Sequence, residues 1–238
     1  MATPLTEEAL IAFDLATGTV RELNQLLHEA QAQTPAPRVV ISNPGGKHAI
    51  AVGLTAPYEV EIDGHVGYYC AGMNQLANIT VRGNAGVGVA ENMMSGRVIV
   101  EGSASQSAGA SAHGGLLVIH GDASARCGIS LKGADIVVRG SVGHMTAFMA
   151  QTGRVVVLGD AGDSLGDSLY EARLYVRGAV ASLGADCVEK ELRDEHLAEL
   201  RELLDRAGID DAAPSEFRRY GSARQLYNFH VDNLGSYG

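Results

Sequence analysis

The chain has 238 residues, 46% of them apolar, and a formal net charge of −10. That allows one sizeable core and argues against nucleic acid or an anionic membrane surface as a partner. Thirty glycines stand against six prolines, with 5% aromatics and no tryptophan, which describes coils and corners around a thin core rather than a disordered chain.

Met1 to Leu15 lacks the basic start and long apolar run of a secretory leader. No stretch is long enough to span a membrane, so a cytoplasmic location is expected. Ile11, Phe13 and Leu15 alternate as in a short strand. Thr19 and Glu22 form a capping box. Leu23, Leu26, Leu27 and Ala30 then share one helical face, carrying a helix to about Ala32 before Thr34 to Pro37 break it. Residues 1–37 are thus expected to form an N-terminal strand and helix cap. Val39, Val40 and Ile41 lead into Asn43-Pro44-Gly45-Gly46, and Gly45 stands 19 residues before Gly64. A degenerate first coil is expected at 38–57, with Ile41 in phase with Val60.

From Val60 to Ala185 seven glycines recur every 19 residues without insertion or deletion: Gly64, Gly83, Gly102, Gly121, Gly140, Gly159 and Gly178. Such a period is the signature of a solenoid. Two residues before each glycine stand Ile62, Val81, Val100, Ile119, Val138, Val157 and Val176. Four before stand Val60, Ile79, Val98, Leu117, Ile136, Val155 and Leu174. Alternate strand positions share a face, so both columns point into one core. The glycine then ends the strand, at a corner expected to need positive φ. Small residues recur three and seven positions after it, as at Gly67, Gly86 and Ala71, Ala90. The pattern predicts an all-β, right-handed parallel β-helix spanning 38–187, with about seven coils and about three short strands per coil. Cys70 and Cys127 share a phase three coils apart, roughly 14 Å at strand spacing, too far for a disulfide. Reduced, buried thiols are expected, Cys187 included.

The outward column three residues before each glycine ends in Ile99, Val118, Val137, Val156 and Tyr175. Contiguous apolar surface of this kind marks a contact. Two coverings are open: the chain's own terminal helices, or a partner protein. Asp186 and Glu189 make a second capping pattern. Leu192, His196, Leu200, Leu203, Leu204 and Ala207 then mark a helical face that Gly208 stops. This helix, in a C-terminal part at 188–238, is expected to cap the open end of the β-helix. In the tail, Phe217, Tyr220, Tyr227, Phe229 and Tyr237 are interspersed with Arg218, Arg219 and Arg224, a mixture suited to docking on the chain itself or on a partner.

Constellations for chemistry are sparse. Gly83-Asn84-Ala85-Gly86-Val87-Gly88 imitates part of a dinucleotide fingerprint, but another strand follows where a long helix is needed. His65, His113, His120 and His144 share no column and form no HExxH. Asp160, Asp163 and Asp167 read as a solvated acidic turn, and Ser103, Ser105, Ser107 and Ser111 as corner and ladder residues. No catalytic, cofactor-binding or metal-binding residue is expected on this chain. A regular domain of this kind more often positions other domains than performs chemistry.

The repeat, with pairs such as Gly64/Gly67, Gly83/Gly86/Gly88, Gly140/Gly143 and Gly159/Gly162, resembles the GXGXG-motif β-helix that ends the large subunit of glutamate synthase. The length and the tail from Phe217 to Asn233 resemble the separate small subunit of glutamate-synthase-like complexes divided over three chains. N-methylglutamate synthase of bacterial methylamine metabolism, which converts glutamate and methylamine into N-methylglutamate and ammonia, is one of these. The resemblance implies two partners in a hetero-oligomer. One is an amidotransferase-like chain with an N-terminal cysteine nucleophile. The other is a synthase chain carrying FMN and an iron–sulfur cluster. The β-helix joins them and bears no catalytic residue or cofactor of its own. Met1-Ala2 here offers no such cysteine. Formylmethanofuran dehydrogenase also contains a similar GXGXG domain, with molybdenum or tungsten and iron–sulfur proteins as its partners. Stand-alone β-helix acyltransferases and lyases are the enzymatic alternatives. The acyltransferase hexapeptide is missing, and only the Asp160–Asp167 corner hints at a lyase groove.

Overall fold

The computed structural model describes residues 10–30 and 37–225. In chain order they form β1 (Leu10–Asp14), α1 (Val20–Ala30), β2 (Arg38–Ser42), β3 (Glu59–Asp63), β4 (Asn78–Val81), β5 (Arg97–Val100) and β6 (Leu116–Ile119). There follow β7 (Lys132–Val138), β8 (Thr152–Val157), β9 (Arg173–Val176), β10 (Cys187–Lys190), α2 (Asp194–Ala207), a 3-10 turn (Pro214–Glu216) and β11 (Arg218–Ser222). One sheet holds all the strands in the order β1 to β9, then β11, then β10. It is parallel up to β9, and β11 runs antiparallel to both its neighbours. The chain is an all-β solenoid of about seven coils with a helix near each end.

The register follows the period. Val60, Ile79, Val98, Leu117, Ile136, Val155 and Leu174 pair in series, as do Ile62, Val81, Val100, Ile119, Val138, Val157 and Val176. All fourteen are buried. β-Branched and aliphatic side chains pack tightly at this pleated spacing. In the first coil Ile41 pairs with Ile62. That step is 21 residues, so the expected phase with Val60 is off by two, and Asn43 to Pro57 absorbs the excess.

Each coil holds one strand, not three. A second contact between coils is a bridge running Val66, Ala85, Ala104, Ala123, Val142, Ala161, Val180, joined in the last coil by Leu165 to Leu183. The rest is a turn region with alternate left-handed residues. Tyr69, Gly88, Ser107, Arg126, Met145 and Ser164 form one such column. Ala71, Ala90, Gly109, Gly128, Ala147 and Gly166 form the next, and Met73, Asn92, Ser111, Ser130, Met149 and Ser168 the third. A non-glycine residue there costs about 1–2 kcal/mol. Stacking supplies the compensation, because the N–H groups bond alternately forward and back. Tyr69 N donates to Val87 O at 2.8 Å, Ala71 N to Ile50 O at 3.0 Å, and Met73 N to Glu91 O at 2.8 Å. The middle column is small because it faces the core. A Cβ on Gly109 would lie 2.6 Å from Ile136 Cδ1.

The repeat glycines also have a different cause from the one expected. Only Gly64 of the seven has positive φ. On Gly83 a Cβ would stand 2.7 Å from the carbonyl carbon of Gly64, and on Gly121 2.8 Å from both C and O of Gly102. The corner needs glycine because consecutive backbones touch there, not for its dihedral freedom.

At the N-terminal end β1 adds to β2, and α1 closes the first coil. Leu23, Leu27 and Ala30 enter the solenoid core. Asn24 Nδ2 donates to Ala49 O at 2.7 Å, and Tyr58 Oη donates to Leu27 O at 2.8 Å. The Thr19–Glu22 box forms, with Glu22 Oε2 accepting from Thr19 N at 2.8 Å. At the other end the expected helical cap is replaced. The Asp186–Glu189 stretch lies at strand β10, and α2 begins only after Arg193. β11 inserts between β9 and β10, and Tyr220 and Cys187 close the core.

Candidate functional site

The apolar stripe is covered by the chain itself. Leu200, Leu203, Leu204 and Ala207 of α2, followed by Ile209 and Phe217, pack on Val118, Val137, Val156 and Tyr175. Those four stripe residues are fully buried, and Ile99 sits half-buried at the margin. Phe217 and Tyr220 are also buried. These six buried side chains are therefore not free to meet a partner: α2 lies along the strand face instead of over the end and covers the stripe with Phe217, while Tyr220 is buried in the solenoid core. Arg218, Arg219 and Arg224 remain at the surface or half-buried. Tyr227 and Phe229 lie outside the described residues.

A polar frame secures α2. Asp135 accepts from Arg154 Nε at 2.6 Å and Nη2 at 2.7 Å, and from Arg206 Nη1 at 2.9 Å. Tyr175 Oη donates to Glu199 Oε1 at 2.6 Å, and Arg173 also pairs with Glu199. Burial, and then the Glu199 carboxylate, raise the Tyr175 phenol well above its usual range. Towards the N-terminal coils the same face is open and carries an ion ladder: Arg38–Glu61 at 2.9 Å, Glu61–Arg82 at 3.0 Å, then Arg82–Glu101. Hydrogen bonds from Arg82 and Arg38 hold the Glu61 carboxyl below its ordinary value.

A second ladder runs at the corner one residue after each glycine. His65 Nδ1 accepts from Asn84 N at 2.9 Å, Asn84 Oδ1 from Ser103 N at 2.8 Å, and Ser103 Oγ from Asp122 N at 3.1 Å. Asp122 Oδ1 then accepts from Ser141 N at 2.8 Å, Ser141 Oγ from Asp160 N at 3.0 Å, and Asp160 Oδ1 from Ala179 N at 2.7 Å. His65, Ser103 and Asp160 therefore serve the backbone of the next coil. The other two aspartates of the acidic turn are tied nearby: Asp163 accepts from Ser182 Oγ at 3.1 Å and Asp167 from Ser168 Oγ at 2.7 Å.

Among the described residues no group of three His, Cys, Asp or Glu side chains could hold a metal ion. All three cysteines are buried, and burial pushes each thiol up to about 12. Such thiols are not nucleophiles at neutral pH. No helix among the described residues is long and apolar enough to cross a membrane.

Two surface features remain. The turn side of the second and third coils exposes Tyr68, Met73, Leu76, Val87 and Met94, with Tyr68 57% and Leu76 53% exposed. Methionine and aromatic side chains of this sort are enriched where proteins meet. Near the start of α2, a cleft of about 340 Å³ is lined by Arg173, Lys190, Arg193, His196, Arg219 and Arg224, with Glu171 as the lining carboxylate. Sequence reasoning missed this cleft, because its cations come from three segments that only the β9–β11–β10 pairing assembles.

Fold and surfaces together define a parallel β-solenoid protein, closed by a helix at one end and by an antiparallel strand at the other. Over 224 residues the chain is 61% identical to the protein GlxC of Rhizobium meliloti (strain 1021), covering 94% of this chain and 98% of that protein. It belongs to the GlxC family. No protein-family model matches it.

Proposed function

We propose that this chain is a non-catalytic assembly subunit of a glutamate-synthase-like complex, joining an amidotransferase-like chain to an FMN-binding synthase chain. N-methylglutamate synthase is the particular enzyme proposed. The observation that carries this is the glycine column, one residue per coil at unbroken 19-residue spacing with backbones in contact. It is the feature on which the resemblance to the GXGXG β-helix of glutamate synthase rests. The match to GlxC across 98% of that protein's length supports a separate chain. The exposed group Met73, Leu76 and Met94 is the proposed contact with a partner.

The test is purification from the native source with a tag on this chain alone, followed by mass spectrometry and a flavin spectrum. Flavoprotein and amidotransferase-like chains should co-purify, and Leu76→Asp with Met94→Asp should reduce their yield while leaving the fold intact. A monomer free of any flavoprotein would refute the proposal. Co-purification of a molybdenum or tungsten protein would instead move the chain to a formylmethanofuran-dehydrogenase-like assembly.

A further inference from the structure

The cleft beside α2 contains a charge arrangement that the proposed assembly role does not use. Lys190 on β10 and Arg219 on β11 are direct cross-strand partners in an antiparallel pair. Like charges placed opposite each other in this way destabilise a sheet. Most of the surrounding cations are matched: Arg173 by Glu199, Arg193 by Glu191 at 2.9 Å, and Arg224 by Glu171 at 3.0 Å. Neither Lys190 nor Arg219 has a carboxylate within ion-pair distance among the described residues. Arg219 instead donates through Nε to the backbone oxygen of Glu191 at 3.0 Å. That bond orients the guanidinium and leaves its terminal nitrogens unassigned.

His196 completes the wall. It is buried, and its Nδ1 accepts from Arg193 N at 3.1 Å. The remaining proton is therefore on Nε2, a further donor in the lining. Burial and then the Arg219 charge lower the His196 pKa and favour this neutral form. Arg193 is also the N-cap of α2, where the Asp194 and Glu195 carboxylates of the first turn offset the helix dipole, Glu195 Oε1 lying 3.7 Å from His196 Nε2.

We propose that this cleft binds an oxyanion group, carboxylate or phosphate, of a small ligand, with Lys190 and Arg219 as its counter-charges and His196 Nε2 as a neutral donor. The ligand neutralises a repulsion that the unliganded sheet must otherwise bear. The cleft volume of about 340 Å³ admits a small organic acid or phosphate ester rather than a bare ion alone.

The experiment titrates the full-length chain by calorimetry with succinate and separately with inorganic phosphate, each against sodium chloride at matched ionic strength. Saturable binding of one probe is expected, and whichever binds identifies the geometry preferred. Lys190→Gln should weaken it about tenfold or more, the scale of one charge-assisted hydrogen bond. Lys190→Arg should retain it. Arg126→Gln removes one positive charge on another side of the solenoid and should leave affinity unchanged. Non-saturable heats equal to those of chloride, wild-type affinity in Lys190→Gln, or equal weakening in Arg126→Gln would each overturn the proposal. Because the readout is binding to this chain alone, it fails or succeeds independently of any partner protein.

Discussion

Val137→Asp tests what covers the strand face. Val137 is fully buried between β6, β8 and α2, against Leu200, Leu203 and Leu204. Losing a buried valine forfeits about 1.5–3 kcal/mol. A carboxylate in that apolar layer adds a desolvation cost of several kcal/mol. A net loss of about 4 kcal/mol would lower the thermal midpoint by roughly 8–16 °C in a chain of this size. The damage should be local first. The helix should detach, helical circular dichroism should fall, and limited proteolysis should cut between Lys190 and Pro214 while the coils stay protected. Val137→Ala should show the same pattern more weakly. A Val137→Asp chain with wild-type midpoint and cleavage pattern would mean that α2 does not shield this face, and the packing argument would be wrong.

Three further outcomes follow from the same geometry. Gly121→Ala places a Cβ 2.8 Å from the Gly102 backbone and should cost about 1–3 kcal/mol in a denaturant titration. Ser103→Ala should not rescue it, because the backbone contact remains. Native protein at pH 8 should react only slowly with a thiol reagent, and three thiols should appear on denaturation, since burial raises Cys70, Cys127 and Cys187 to about 12. The Glu61 carboxyl is depressed by Arg82 and Arg38. Its small contribution is thus present above the ordinary glutamate range and lost as the pH falls through the folded value. Glu61→Gln should lower the neutral plateau of a stability profile slightly and flatten its acid limb, so that the two proteins converge at low pH.

The repeat was legible because a period of 19 residues needs no long-range information. Column by column, the inward aliphatics and the glycines can be read from spacing alone. The cause of the glycines was not legible, since steric contact with the previous coil and positive φ select the same residue. The third strand failed for a related reason. Small residues such as Ala71 and Gly109 suit a tight corner equally well in extended or left-handed backbone, and only the alternating hydrogen bonds distinguish them. Both apolar faces, the stripe at Val118–Tyr175 and the Leu200–Ala207 helix, were visible in the sequence, but their pairing is not local. Asp186 to Glu189 carries a capping pattern, yet pairing with Arg219 to Ser222 outweighs it and makes a strand. The corner ladder does leave a trace in the sequence: from His65 to Asp160 every residue following a repeat glycine can accept a hydrogen bond.

That ladder has a direction, and its direction sets a length. Each side chain serves the coil that comes after it, so the final coil has no successor to serve. Its position is Ala179, whose methyl side chain cannot accept a bond. The stopping point is thus written into the residue type. An extra copy of a coil spliced in ahead of Ala179 should extend the tower at little expense, whereas one added behind it would meet a rung with nothing to offer.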